Sequence, residues 1–235
     1  MNLLLLTEGD RVSEDRFAVR DQRLRHIQDV LHTQPGQQLR VGLLGGDTGT
    51  GQLLELDKHQ ALFAVSLDSP PPPKLPLELV LALPRPKMLR RILRTVAECG
   101  VPRLHLINSY RVEKSYWQTP VLAPAATRGF LLQGLEQARD TVLPEVNCHR
   151  RFKPFAEDVL PSLTAGKRAL VAHPGDHPPC PRQVNVPTLV AIGPEGGFIP
   201  YEVDKLREAG CEPVSLGPRI LRVETALTSL LGRLG

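Results

Sequence analysis

Two stretches toward the C-terminal end gather the residues able to do chemistry. One is Gly-Pro-Glu-Gly-Gly at 193–197, and the other is Leu-Gly-Pro-Arg-Ile-Leu-Arg-Val-Glu-Thr-Ala at 216–226. Each follows a short apolar run and joins a glycine-proline turn to charge. Gly193, Gly196, Gly197 and Gly217 have no Cβ, so the backbone there can come close to a ligand. Pro194 and Pro218 fix φ and stiffen the turns. The charges left at this rim are Glu195, Arg219, Arg222 and Glu224. A carboxylate in such a place can take a proton, and a guanidinium can stabilise a developing anion or clamp a phosphate. A structural reading stays open beside this one, with Glu224 in the first turn of a helix and Arg222 paired to it.

These residues need elements to hold them. Residues 189–192 read as a buried strand and 214–216 as a second, with a helix-like segment between. Residues 169–173, Ala-Leu-Val-Ala-His, read as a third strand running into His-Pro-Gly. In open parallel sheets, ligands sit beyond the carboxyl ends of the strands. One site is therefore expected from Val171, Ala172 and His173, from Ile192 to Gly197, and from Leu216, Gly217, Arg219, Ile220 and Leu221. A last helix over 223–234 carries Val223, Ala226, Leu227, Leu230 and Leu231 on one stripe, and it would bring Thr225 and Ala226 to the same place. His173, His177 and Cys180 have a spacing that suits a metal, but the prolines around them and the missing fourth ligand argue against zinc. No metal is expected.

Upstream, residues 77–83 read as a strand and 87–99 as an amphipathic helix. Met88, Leu89, Ile92, Leu93 and Val96 share one face. Lys87, Arg90, Arg91 and Arg94 follow one another at i, i+3, i+4 and i+7 on another face, with Arg85 just before. A face of one sign costs repulsion within the helix, so a nucleic-acid contact is favoured over an ordinary solvated surface. Residues 103–108 read as a strand and 126–140 as a helix; Tyr116 and Trp117 can stack on a base, but packing in a core or dimer is the favoured fate. Ser-Pro-Pro-Pro-Pro-Lys-Leu-Pro at 69–76 favours a stiff polyproline II rod. The expected division is a domain over 1–70, a linker over 71–76 and a second domain over 77–235.

The first domain reads as a strand over 3–6, a helix over 21–32 with Leu24, Ile27, Val30 and Leu31 on one stripe, and strands over 38–44, 51–57 and 61–67. The glycine-rich run at 45–51 suits a hairpin connection; it lacks the lysine and helix start of a phosphate-binding loop. Short strands with tight turns suggest a small barrel.

The 235 residues carry a net charge of +4, which fits a polyanionic partner without demanding one. Arginine outnumbers lysine, which suits phosphate and base edges; a biased genome would give the same excess. Four scattered cysteines with no Cys-x-x-Cys pair suggest reduced thiols. The first residues lack the basic segment and apolar length of a signal peptide, and no run approaches membrane-spanning length. A cytoplasmic protein that does not engage a membrane is expected.

The two C-terminal stretches, in this order, resemble the signature of the bacterial small-subunit (16S) ribosomal RNA uridine-N3 methyltransferases of the SPOUT superfamily. Glu98-Cys-Gly-Val, Glu136-Gln137, Leu143-Pro-Glu-Val and His26-Ile-Gln-Asp-Val-Leu followed by Pro-Gly-Gln extend the likeness over nearly the whole chain. The resemblance implies an α/β fold, namely a trefoil-knotted SPOUT methyltransferase domain preceded by a PUA-like RNA-binding β-barrel, assembled as a homodimer. It implies S-adenosylmethionine (SAM) as cofactor, and ribosomal RNA or the small ribosomal subunit as partner. Arg222, Glu224 and Glu195 become the candidate catalytic residues. Arg25, Arg85, Lys87, Arg90, Arg91, Arg94, Arg139 and Arg219 become candidates for RNA. His32 stands where the family has an arginine, and the arginine beyond the Glu-Gln pair is shifted to Arg139. These departures keep two alternatives in view, a SPOUT enzyme with another RNA target and a non-catalytic RNA-binding assembly factor.

Overall fold

A computed structural model describes residues 2–235. The chain divides into two compact units, one running up to Pro73 and taking in Leu132–Leu143, the other made of Lys74–Leu131 and Pro144–Gly235.

The first unit holds β1 (Leu4–Leu6), β2 (Arg16–Val19), α1 (Gln22–His26), β3 (Gln38–Leu43), β4 (Thr48–Leu56) and β5 (Ala61–Ser69). Its five-stranded sheet has the order β1-β3-β4-β5-β2, with β1 parallel to β3 and the other pairs antiparallel. Leu4, Phe17, Ile27, Val41, Leu53 and Phe63 pack in its core. The Asp21 side chain caps α1 by accepting from the Arg23 backbone N–H. The helix expected over 21–32 is not uniform. It turns into a π-helix over Ile27–Leu31 and stops at His32, which has φ 50°. The wider π winding displaces the 3.6-residue stripe, and Val30, expected on the buried face, is exposed. The glycine run is also corrected, because Thr48–Gly51 belongs to β4 and only the residues before it turn. Strand β2 was not anticipated; its Phe17-Ala-Val is buried but is hidden in the sequence among flanking charges.

The second unit holds β6 (Leu77–Ala82), α2 (Pro86–Glu98), β7 (Arg103–Ile107), the start of α3 (Pro124–Ala138), β8 (Glu145–His149), α4 (Phe152–Pro154), α5 (Leu160–Thr164), β9 (Arg168–Ala172), β10 (Thr188–Ile192), α6 (Pro200–Glu208), β11 (Glu212–Val214) and α7 (Val223–Leu234). All strand pairs are parallel, in the order β11-β9-β10-β6-β7-β8. The central strands β6 and β10 are buried along their whole length, as a sheet covered on both faces requires. Strand β11 ends at Val214, two positions short of the expected end at 216. Ser215 leaves the sheet to bond the loop before β10: its N–H donates to the Pro178 carbonyl, and its carbonyl accepts from the Cys180 N–H.

Helix α2 follows the sequence pattern. Leu89, Ile92, Leu93 and Val96 are buried, while Lys87, Arg90 and Arg91 are exposed. Pro86 sits in its first turn, where a missing N–H costs nothing. Trp117 is buried, and its indole Nε1 donates to Asn108 Oδ1 at 2.9 Å, so packing is its role. The helical stretch from Phe152 to Thr164 has no counterpart in the sequence reading; Pro161 lies in the first turn of α5, where it is tolerated.

Candidate cofactor site

Three loops leave the carboxyl edge of the parallel sheet side by side and enclose a pocket. Ala172, His173 and Pro174 come from the end of β9, and Ile192, Gly193, Pro194, Glu195, Gly197 and Phe198 from the end of β10. Ser215, Leu216, Gly217, Arg219, Ile220 and Leu221 follow β11, and Val223 and Ala226 of α7 close the wall. The register explains the convergence: Ala172 pairs with both Ile192 and Val214, so the three loops start at the same level.

The local chemistry shapes each wall. Gly197 has φ 73° and donates its N–H to the Pro194 carbonyl at 2.8 Å, which makes the tight turn that returns the chain toward α6. The His173 N–H donates to the Val214 carbonyl at 3.0 Å and locks two loops together. Burial, aided by the neighbouring His177, lowers the His173 pKa, so its ring is neutral near pH 7. Its Nδ1 is buried with no partner among the described residues, leaving a polar atom in a largely apolar wall. At the rim, Arg85 Nε lies 3.4 Å from Glu195 Oε1. Arg222 is the N-cap residue of α7, and Glu224 sits in its first turn. Among the described residues, Arg222 and Glu224 form no ion pair with each other, so the purely structural pairing is not the arrangement found.

The structure places the expected residues unevenly. Val171 is fully buried within β9, and it does not line the pocket. Gly196, Thr225, Arg222 and Glu224 are near in sequence to the wall but are not part of it. Pro174, Phe198, Ser215 and Val223 were missed; Phe198, the first bulky residue after the glycine pair, is the one the sequence offered a signal for. Among the cations, Arg85, Lys87, Arg90 and Arg91 are exposed, whereas Arg94 is half-buried with its guanidinium 5.0 Å from the Phe130 ring centre. Arg139 is exposed with φ 59°, and Arg25 is exposed in the first unit.

An all-parallel α/β sheet with a glycine-bearing pocket at its carboxyl edge defines a ligand-binding domain of the kind that holds nucleotide-like cofactors. The family described as RNA methyltransferase domain matches residues 71–235, and the chain belongs to that family. Among its relatives is the ribosomal RNA small subunit methyltransferase E of Treponema pallidum, 29% identical over 237 residues, covering 96% of this chain and 87% of the relative. The enzyme of the same name from Synechocystis is 27% identical over 241 residues, covering 98% and 76%. A solved ribosomal RNA small subunit methyltransferase E from Neisseria gonorrhoeae, bound to S-adenosyl methionine, shares the fold with a TM-score of 0.76 at 22% identity, covering 98% of this chain and 94% of that one.

Proposed function

We propose that this protein is a SAM-dependent methyltransferase that acts on N3 of a uridine in the 16S ribosomal RNA of the small subunit. The observation that carries the reading is the pocket itself, three loops at the carboxyl edge of a parallel sheet in a chain of the RNA methyltransferase family. The wall suits the cofactor. Ile192, Leu221 and Val223 offer apolar contact, the backbone at Gly197 and Gly217 is open to close approach, and the unpartnered His173 Nδ1 can hydrogen-bond a polar edge. When bound, SAM supplies a methyl group on a cationic sulfonium, an electrophile that needs positioning more than activation.

The protein's own task is then to prepare uridine N3, which carries a proton at neutral pH. Glu195 takes that proton, because it is the carboxylate on the pocket wall, while Glu224 lies off it. Arg85, paired with Glu195, holds that carboxylate at the rim, and Arg219 and Arg222 bring positive charge to the uracil oxygens or the flanking phosphate. The exposed cations of α2 bind the RNA backbone. The target base must be unpaired or flipped to reach the pocket.

Three further parts belong to the same reading. The five-stranded sheet of the first unit is a PUA-like RNA-binding barrel, with the expected boundaries 1–70, 71–76 and 77–235 amended by Leu132–Leu143, which belongs with the first unit. The carboxyl-terminal segment forms a trefoil knot; support comes from the 178–184 loop, which bonds Ser215 and also donates from Gln183 and Val184 to the carbonyls of Arg233 and Leu234. The protein works as a cytoplasmic homodimer. Calorimetry with SAM tests the pocket assignment: saturable binding that is abolished by Gly197→Val supports it, and no binding at millimolar SAM contradicts it.

A further inference from the structure

The carboxyl edge of the sheet carries one feature that the pocket does not use. The loop after β7 presents Tyr110, 79% exposed, on a backbone fixed from both sides. Ser109 and Val112 are buried, and the Val112 N–H closes a turn onto the Ser109 carbonyl at 3.1 Å. The Tyr110 N–H donates to Glu202 Oε1 at 2.7 Å. Glu202 is 2% exposed and accepts from the Ile199 N–H through its other oxygen at 3.0 Å, so the loop is tied to the start of α6. Arg111 donates through Nη1 to the Gly196 carbonyl, on the pocket's own loop. A Cβ at position 196 would stand 2.8 Å from Arg111 Cδ, so the glycine is what lets this arginine lie across the loop. A tyrosine held this way gains nothing from the core and exposes its ring to solvent. The exposed cations Arg85 and Lys114 belong to the loops leaving this same edge of the sheet. A fixed aromatic face on an edge that also carries exposed cations is the arrangement with which proteins hold single-stranded nucleic acid.

We propose that Tyr110 is a stacking platform for an unpaired base of the RNA substrate, held at the rim of the cofactor pocket by the Glu202 and Gly196 contacts. This rests on the methyltransferase reading for the identity of the RNA, but the stacking itself is separately measurable. A ring presented on an immobilised backbone loses little conformational freedom on binding, and stacking accepts any base, so Tyr110 serves to position the strand while the pocket selects the uracil.

Tyr110→Ala and Tyr110→Phe decide the matter in two assays. The first is binding of a short single-stranded oligouridylate, titrated over a range of salt. The second is methyl transfer from SAM to unmodified small ribosomal subunits, with kcat and KM resolved. The proposal expects Tyr110→Ala to weaken oligouridylate binding and raise KM by about 5- to 150-fold, with kcat and SAM affinity unchanged. It expects Tyr110→Phe to behave as the parent, and the salt dependence of Tyr110→Ala to keep the parent's slope, because no cation is lost. Unchanged binding in Tyr110→Ala overturns it, as does a loss that phenylalanine does not restore. Loss of self-association in sedimentation with unchanged RNA binding would overturn it in favour of a contact between copies. If the parent protein transfers no methyl group, the functional reading fails, and the oligouridylate titration still judges the stacking.

Discussion

The two ends of the six-stranded sheet treat charge in opposite ways. At the amino ends, Glu78 is 7% exposed and is held by Lys167 Nζ at 2.8 Å and Arg103 Nη1 at 3.2 Å, with His105 Nε2 4.0 Å away. At the carboxyl ends, Glu202 is buried against two backbone N–H groups, but the charges at the pocket rim, Glu195, Arg219 and Arg222, are exposed, and of these three, among the described residues, only Glu195 has an ionic partner, Arg85. A buried charge must be satisfied by the protein itself, or its desolvation is uncompensated. A charge left in water costs little and remains available to a ligand. The amino end is thus built for stability and the carboxyl end for function, and substitutions at the two ends should fail in different assays.

The largest effect on stability is expected from Glu78→Ala. It leaves Lys167 and the neighbouring Arg103 without their acid, and unfolding in urea should show a loss of about 3 kcal/mol, with SAM affinity of the folded protein retained. A variant as stable as the parent would break the contrast between the ends. At the other end, Glu195→Gln should lower kcat for methyl transfer by about 100-fold or more and leave the urea midpoint in place. Full activity in that variant would move the base elsewhere.

Acid sharpens the same contrast. Burial first, and then the neighbouring His149, push the His105 pKa down from 6.5 to about 4. The unfolded chain takes up this proton near pH 6.5, while the folded chain resists it until about pH 4. The unfolded state therefore binds more protons in that window, and stability falls as pH drops through it, by about 3 kcal/mol for the full shift. His149, also lowered by burial, acts in the same direction. Urea midpoints of His105→Gln should vary less with pH between 7 and 4 than those of the parent; equal slopes would show that His105 does not carry the effect. The smallest change is expected from reversing charge at Arg90 and Arg91. Stability should hold, RNA binding should weaken, and the slope of log affinity against log salt should fall by about 2. An unaltered slope would return that face of α2 to ordinary surface.

Much of this was legible because it rests on local rules. The apolar runs that became β6, β9 and β10 need no alternation in a sheet covered on both faces, and the stripe and basic face of α2 are set by helical spacing alone. The glycine-proline turns marked two of the pocket's three loops, and His-Pro-Gly marked the third. What stayed hidden depends on tertiary partners. Nothing in the sequence of Leu132–Leu143 says that it belongs with the first unit, where the Thr141 carbonyl accepts from the Gly45 N–H at 2.8 Å. The early end of β11 follows from Ser215 bonding a loop more than thirty residues upstream, and the buried acid Glu78 is recognisable only once Lys167 is beside it. The loop after β7 was legible as a strand exit with Arg111 and Lys114 exposed, but the anchoring of Tyr110 was not, since Gly196 and Glu202 lie far along the chain.

Transfer of a methyl group to uridine N3 of small-subunit RNA at the pocket on the carboxyl edge can be read from its product. The most direct test incubates the purified protein with SAM and unmodified small ribosomal subunits, digests the RNA and identifies the nucleosides by mass spectrometry. N3-methyluridine is expected, formed by the parent protein and strongly reduced with Glu195→Gln. A different methylated nucleoside would contradict the assigned target, and the absence of any product together with the absence of SAM binding would contradict the enzyme itself.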